Sequence, residues 1–159
     1  MVRFSDEQKL PHGVSAEWLE RVTERCLVHE NIEYPCEMGV TFTDDDAIRK
    51  LNREHRNIDR KTDVLSFPML SDVRCPEKTD IDPETGLVYL GDIVISVETA
   101  MRQAEEFGHS PEREIAFLTV HSMMHLMGYD HITEDERRIM RAHEEAVLDE
   151  LNIKRTEIN

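Results

Sequence analysis

Residues 111–127 place Ile115, Ala116, Phe117, Leu118, Val120, Met123, Met124, Leu126 and Met127 on nearly every side of a helical axis. A helix without a polar face can lie only inside, so the rest of the chain has to wrap it. Its limits are written in the same stretch. Ser110, Pro111 and Glu112 give a cap, an N1 proline and an early acid, and Gly128 ends it. A chain of 159 residues, 39% apolar and 33% charged with six Gly and six Pro, suffices for one core around that helix. The same composition excludes collagen-like, low-complexity and disordered classes. With no internal repeat, linker or shift in composition, residues 1–159 read as a single domain.

The wrapping elements alternate in period. A short strand near residues 2–4 precedes a helix capped by Ser15 and running to about Asn31. Trp18, Leu19, Val22 and Cys26 recur there at helical spacing, which makes Trp18 a core candidate rather than a site residue. Met38, Val40 and Phe42 alternate with Gly39, Thr41 and Thr43 as in a half-buried strand, and Asp44 or Asp45 caps a helix through Asn52. Residues 62–67 (TDVLSF) give a strand stopped by Pro68, and residues 87–95 (LVYLGDIVI) give the strongest strand pattern. Ser96 caps a following helix that ends at Gly108, and Thr133 with Glu136 forms a capping box for a last helix to about Glu150. Residues 71–86, with Pro76, Pro83, Gly86 and five acids against two bases, read as a mobile acidic surface loop. The expected fold class is α+β, a small mixed sheet packed with about five helices.

Nineteen basic side chains against 34 acidic ones give a net charge of −15, which repels polyanions and argues against non-specific nucleic-acid binding, DNA included. One segment runs against this average. Arg49, Lys50, Arg53, Arg56, Arg60 and Lys61 face only Glu54 and Asp59, so residues 49–61 carry +4 and the remainder −19. A charge run of this kind is ordinarily a solvated helix face. Three cysteines at positions 26, 36 and 75, an odd number without metal-binding spacing, read as reduced thiols. No window holds 18 uninterrupted apolar residues and MVRFSDEQKLPHGVS lacks the apolar core of an export signal, so a cytoplasmic protein without membrane contact is expected.

Inside the central helix, His121 and His125 lie four residues apart on one face, and Gly128 lets the chain turn so that His131 follows. A lone histidine is ordinarily a hydrogen-bonded core or surface residue. Three at H-x3-H-x5-H spacing match a facial tripod for zinc, which takes three neutral imidazoles and keeps a fourth position open. Asp130 either orients a ligand imidazole or caps the turn after Gly128. The offsets also match the zinc-protease pattern H-E-x-x-H-x-x-G-x-x-H, but Ser122 stands where its glutamate base belongs and cannot accept a proton as a carboxylate would. No methionine turn follows His131, and His143, grouped with Ile139, Ala146 and Val147 on the last helix, reads as a packed histidine rather than a ligand.

Three blocks, HSMMHLMGYDH, LGDIVIS and LNREHRNIDRKTDVLSFP, resemble in order and spacing the signature segments of the YbeY family of metal-dependent endoribonucleases, the rRNA maturation factors. They cover much of residues 50–131. Ser122 replaces a usual Gly, Met124 a usual Leu, and His55 a common aromatic before the arginine. The resemblance implies a zincin-like α+β domain, one Zn2+ held by His121, His125 and His131, and an active-site role for Arg56. It also implies hydrolysis of single-stranded rRNA, in 16S rRNA 3′-end maturation and ribosome quality control on the small ribosomal subunit.

Under that reading Arg56 forks onto a phosphate beside the tripod, while the metal polarises a phosphoryl oxygen or acidifies a water. Arg53, Arg60 and Lys61 are candidates for guiding the RNA backbone, with plain solvation the alternative for each. Two rivals remain. A hydrolase acting on peptides or small molecules follows from the protease-like offsets and is opposed by the missing glutamate. A non-catalytic ribosome assembly factor with a structural zinc would require a fourth protein ligand.

Overall fold

The computed structural model describes residues 2–6, 10–11 and 13–153. Four strands, β1 (Val2–Asp6), β2 (Cys36–Thr43), β3 (Val64–Pro68) and β4 (Val88–Ser96), form one sheet in the order β1-β2-β4-β3. The β1–β2 and β2–β4 pairs are parallel and β3 runs antiparallel to β4, so the sheet is mixed. Five α-helices accompany it among the described residues: α1 (Ala16–His29), α2 (Asp45–Arg56), α3 (Val97–Phe107), α4 (Pro111–Leu126) and α5 (Glu134–Glu150). This is the expected α+β class.

The all-apolar helix is α4, and it packs against α1, α3, α5, β3 and β4. Its Ile115, Ala116, Val120, Met123 and Met124 are wholly buried, facing Met38, Val40 and Phe42 of β2 and Leu90, Ile93 and Ile95 of β4. Burial of each large side chain in this layer contributes about 1.5–3 kcal/mol. The other face of the sheet carries a smaller cluster of Ile48, Leu65 and Val94, over which α2 lies. Ser15, Ser96, Ser110 and Thr133 cap their helices as their sequence positions predict, and Asp44 rather than Asp45 caps α2.

Several elements differ from the sequence reading. The inward residues of β4 step from Leu90 to Ile93, because the register against β2 shifts between Glu37 and Gly39. Gly91 at this bulge has φ +144°, and a Cβ there would stand 2.3 Å from the Phe67 carbonyl oxygen. Helix α2 continues one turn past Asn52 and stops at Asn57, whose left-handed φ of 59° ends it. Trp18 is half-buried at the edge of the core, and Ile139 faces solvent at 53% exposure instead of joining the inward stripe of α5. Loop 71–86 is fastened rather than loose. Val73 is buried, the Tyr34 hydroxyl donates to the Val73 carbonyl (2.6 Å), Arg74 pairs with Glu30, and Ile81 bridges to Val88.

Asp45 ties α2 to α3. Its Oδ1 accepts from Ser96 Oγ (2.7 Å) and Thr99 Oγ1 (2.5 Å), and Arg102 donates to Oδ2 (2.7 Å). Desolvation pushes this carboxyl upward, but the hydrogen bonds from Thr99, Ser96 and Arg102 outweigh it and bring its pKa down to about 2. The folded value lies below the ordinary carboxylate value of about 3.9, so the charge stabilises the fold above that pH and the contribution is lost as pH falls towards 2. Asp45→Asn should therefore lose about 1–3 kcal/mol at pH 7 and show a smaller further loss between pH ~4 and ~2 than wild type, read from urea unfolding across that range.

Candidate metal centre

His121 and His125 leave the last turns of α4 side by side, with ring centroids 4.8 Å apart. The helix stops because Gly128 takes φ +98°, a conformation that favours glycine; its N–H closes on the His125 carbonyl and that of Tyr129 on Met124. The reversed chain brings the His131 ring to 5.5 Å from His121 and 4.9 Å from His125. One nitrogen from each imidazole falls within 4.8 Å of the others.

Two of the remaining nitrogens have partners. His121 Nδ1 lies 2.8 Å from Glu144 Oε1, and His125 Nδ1 lies 3.0 Å from the Tyr129 carbonyl oxygen. A carbonyl only accepts, so His125 Nδ1 carries the proton and its Nε2 presents a lone pair; an ionised Glu144 sets His121 the same way. Burial, followed by the neighbouring His121 and His131, pulls the pKa of His125 down against the opposing Tyr129 carbonyl and Asp130, favouring the neutral form that ligation needs. Three imidazoles, two of them oriented by second partners, fit a divalent transition ion.

The tripod opens into a cleft of ≈ 530 Å³ whose walls include Arg56, Thr62, Asp63, Ser66, Tyr129 and Asp130. Arg56 arrives on the final turn of α2, exposed and without an ion-pair partner among the described residues. The neighbouring His55 ring packs edge-on against Phe67 of β3 at 5.1 Å, which fixes that helix end beside the strand. Asp130 takes the turn role, its Oδ1 accepting from the His131 N–H at 2.8 Å. Ser122 is fully buried, and its Oγ accepts from Ser66 Oγ at 2.9 Å, so it joins α4 to β3.

The basic run is divided by the fold. Arg53 is exposed on α2 one turn before Arg56, whereas Arg60 and Lys61 line a separate recess with Asp45, Asp46, Asp59 and Glu98. Lys61 Nζ lies 3.8 Å from Asp45, and Arg49 pairs with Asp59 at 2.9 Å. Sequence reasoning missed Glu144. Its signal was an acid in the inward stripe of the last helix, between Met140 and Val147.

A mixed-sheet α+β body with a three-histidine candidate metal centre beneath an arginine defines the class. The family model for Endoribonuclease YbeY matches residues 2–152. Proteins named Endoribonuclease YbeY from Agathobacter rectalis and Acetivibrio thermocellus are 48% and 46% identical over 145 and 142 residues. These matches span 86% of this chain and 87% of the first relative, and 87% and 88% for the second. The solution structure of TM1509 from Thermotoga maritima superposes with a TM-score of 0.57 at 25% identity, over 96% of this chain and 92% of that one. The chain belongs to the Endoribonuclease YbeY family of hydrolases.

Because Glu144 orients His121, Glu144→Ala should weaken metal affinity about 10–100-fold in competition with a chromophoric chelator. Glu145→Ala, one residue on and exposed, should leave that affinity unchanged.

Proposed function

We propose that this chain is a zinc-dependent endoribonuclease that hydrolyses phosphodiesters of single-stranded rRNA, with His121, His125 and His131 as the metal ligands and Arg56 as a catalytic residue. The observation that carries the proposal is Arg56, without an ion-pair partner among the described residues, on the wall of the cleft that contains the tripod. A metal held there supplies Lewis acidity toward a phosphoryl oxygen and acidifies a water. The Arg56 guanidinium donates two parallel hydrogen bonds to phosphate oxygens, holds the scissile group over the imidazoles and offsets charge that grows in the transition state. Glu144 and the Tyr129 carbonyl keep two rings in one tautomer throughout.

Asp63 is occupied at both oxygens, by the Val64 N–H and by Gln103 Nε2, so it is a wall of the cleft rather than a free base. The cleft is open along one side and suits a strand whose bases are unpaired. Arg53 extends the positive edge from Arg56, and Arg60 with Lys61, which acids surround, meets the backbone farther out. The role on small-subunit rRNA, in 3′-end maturation and quality control, rests on the family. A net charge of −15 supports work on a docked ribosomal subunit over tight binding of free RNA. We read residues 1–159 as one such domain in the cytoplasm, consistent with the free Cys26, Cys36 and Cys75. Among the described residues no helix is long and apolar enough to cross a membrane.

On a labelled single-stranded RNA, His121→Ala should abolish cleavage, and Arg56→Ala should lower kcat about 10²–10³-fold without loss of bound metal. Undiminished cleavage by both variants would refute the nuclease reading, and cleavage of casein by wild type would favour the peptidase rival. Cleavage of free RNA should also fall steeply between 50 and ~200 mM salt, measured as initial rates.

A further inference from the structure

Behind the tripod a second set of donor atoms converges, built from the C-terminal end of α1 and the middle of α5. His29 is the last residue of α1, Glu30 is its C-cap and His143 faces them. His29 Nε2 and His143 Nδ1 are 2.9 Å apart, and Glu30 Oε1 stands 3.5 Å from the same His143 nitrogen. Three donor atoms, one from each residue, lie within 4.8 Å of one another.

Hydrogen bonding leaves this group short of protons. Glu30 is 3% exposed; Arg74 and the Tyr129 hydroxyl both donate to its Oε2, while Oε1 has no hydrogen-bond partner among the described residues. If His143 Nδ1 donates, its proton goes to His29; if His29 Nε2 donates, the lone pair of His143 faces Oε1. A buried carboxylate oxygen is orphaned either way, and a cation ligated by Oε1 would satisfy it. The negative end of α1 points at the same place. Glu150 Oε1 lies 3.6 Å from His29 Nδ1, the ring nitrogen that does not face His143.

We infer that His29, Glu30 and His143 form a second divalent transition-metal site, with two imidazole nitrogens and one carboxylate oxygen as protein ligands. Ligands on one ion at bonds of about 2.0–2.1 Å sit roughly 3.3 Å apart, within a few tenths of an ångström of the two spacings at His143 Nδ1. Oε2 is engaged by Arg74 and Tyr129, which leaves Glu30 to bind through Oε1 alone. His143 is 33% exposed on its side chain, giving the ion an entry and water a coordination position.

The test is calorimetric titration of Zn2+ into the metal-stripped full chain, counting submicromolar equivalents in wild type, His121→Ala/His131→Ala and His143→Gln. The expected result is two equivalents for wild type and one for each of the other two, with affinity at the second site at least 100-fold weaker in His143→Gln. A single wild-type equivalent that the tripod variant loses would overturn this inference while leaving the tripod reading intact. A single equivalent that survives in the tripod variant and disappears in His143→Gln would sustain it and overturn the tripod instead. His143→Gln with the same two equivalents as wild type would also overturn it. Should His143→Gln fail to fold, His29→Gln takes its place, and a rise in the melting temperature of the tripod variant on adding Zn2+ reads the same site, no rise being the contrary result.

Discussion

A neutral imidazole set into a buried helix has a donor and an acceptor to satisfy, and the backbone of α4 has none to spare. Glu144 from α5 and the carbonyl of Tyr129 after the Gly128 turn meet the two Nδ1 atoms. Each unmet bond would cost about 1–3 kcal/mol, comparable to losing a buried leucine contact. Glu144 is itself only 5% exposed and has the same need in reverse. The packing register of α5 on α4, the place where α4 stops and the direction of the reversed chain are thus bound to one another through two hydrogen bonds. With these made, His121 and His125 present their Nε2 lone pairs, and one nitrogen from each of the three rings lies within 4.8 Å of the others.

The arginine reaches this point by a different route. Helix α2 lies on the opposite face of the sheet from α4, over Ile48, Leu65 and Val94. It meets the tripod only because β3 is the edge strand and α2 runs its last turn beside it, with His55 on Phe67. The edge strand is held in turn by its unbroken ladder to β4, from Val64 opposite Ile95 to Pro68 opposite Gly91, and by the Ser66–Ser122 hydrogen bond to α4. Ser122, which stands where the zinc-protease pattern has its glutamate, therefore has a structural duty of its own.

What could be read in advance follows from range in sequence. Caps, turns and the H-x3-H-x5-H triad are local, so Ser110, Gly128, Thr133 and the three histidines were legible, as was the period of β2. Partners distant in the chain were not. Glu144 lies 23 residues from His121 and shares a helix with better candidates, among them His143. The bulge at Gly91 was hidden because LVYLGDIVI reads as an unbroken strand whichever way it pairs. The basic run is continuous in sequence, but three-dimensional neighbours sort it: Asp59 and Asp45 claim Arg49 and Lys61, while Arg56 has no ion-pair partner among the described residues. Placing Arg56 near the tripod needed the family resemblance, since no period or spacing links residue 56 to residue 121.

The acidic loop shows the same limit and suggests its own resolution. Composition marks residues 71–86 as surface, and most of its side chains are exposed. Composition cannot show that Arg74 would double back onto the C-cap of α1, giving Glu30 a countercharge and covering its carbonyl. Tyr129 reaches the same carboxylate with its hydroxyl while its carbonyl holds His125. One carboxylate therefore joins the loop, α1 and the turn that carries the tripod. Among the described residues none of this loop lines the cleft; through Glu30 and Tyr129 the loop braces the turn on which the orientation of His125 depends.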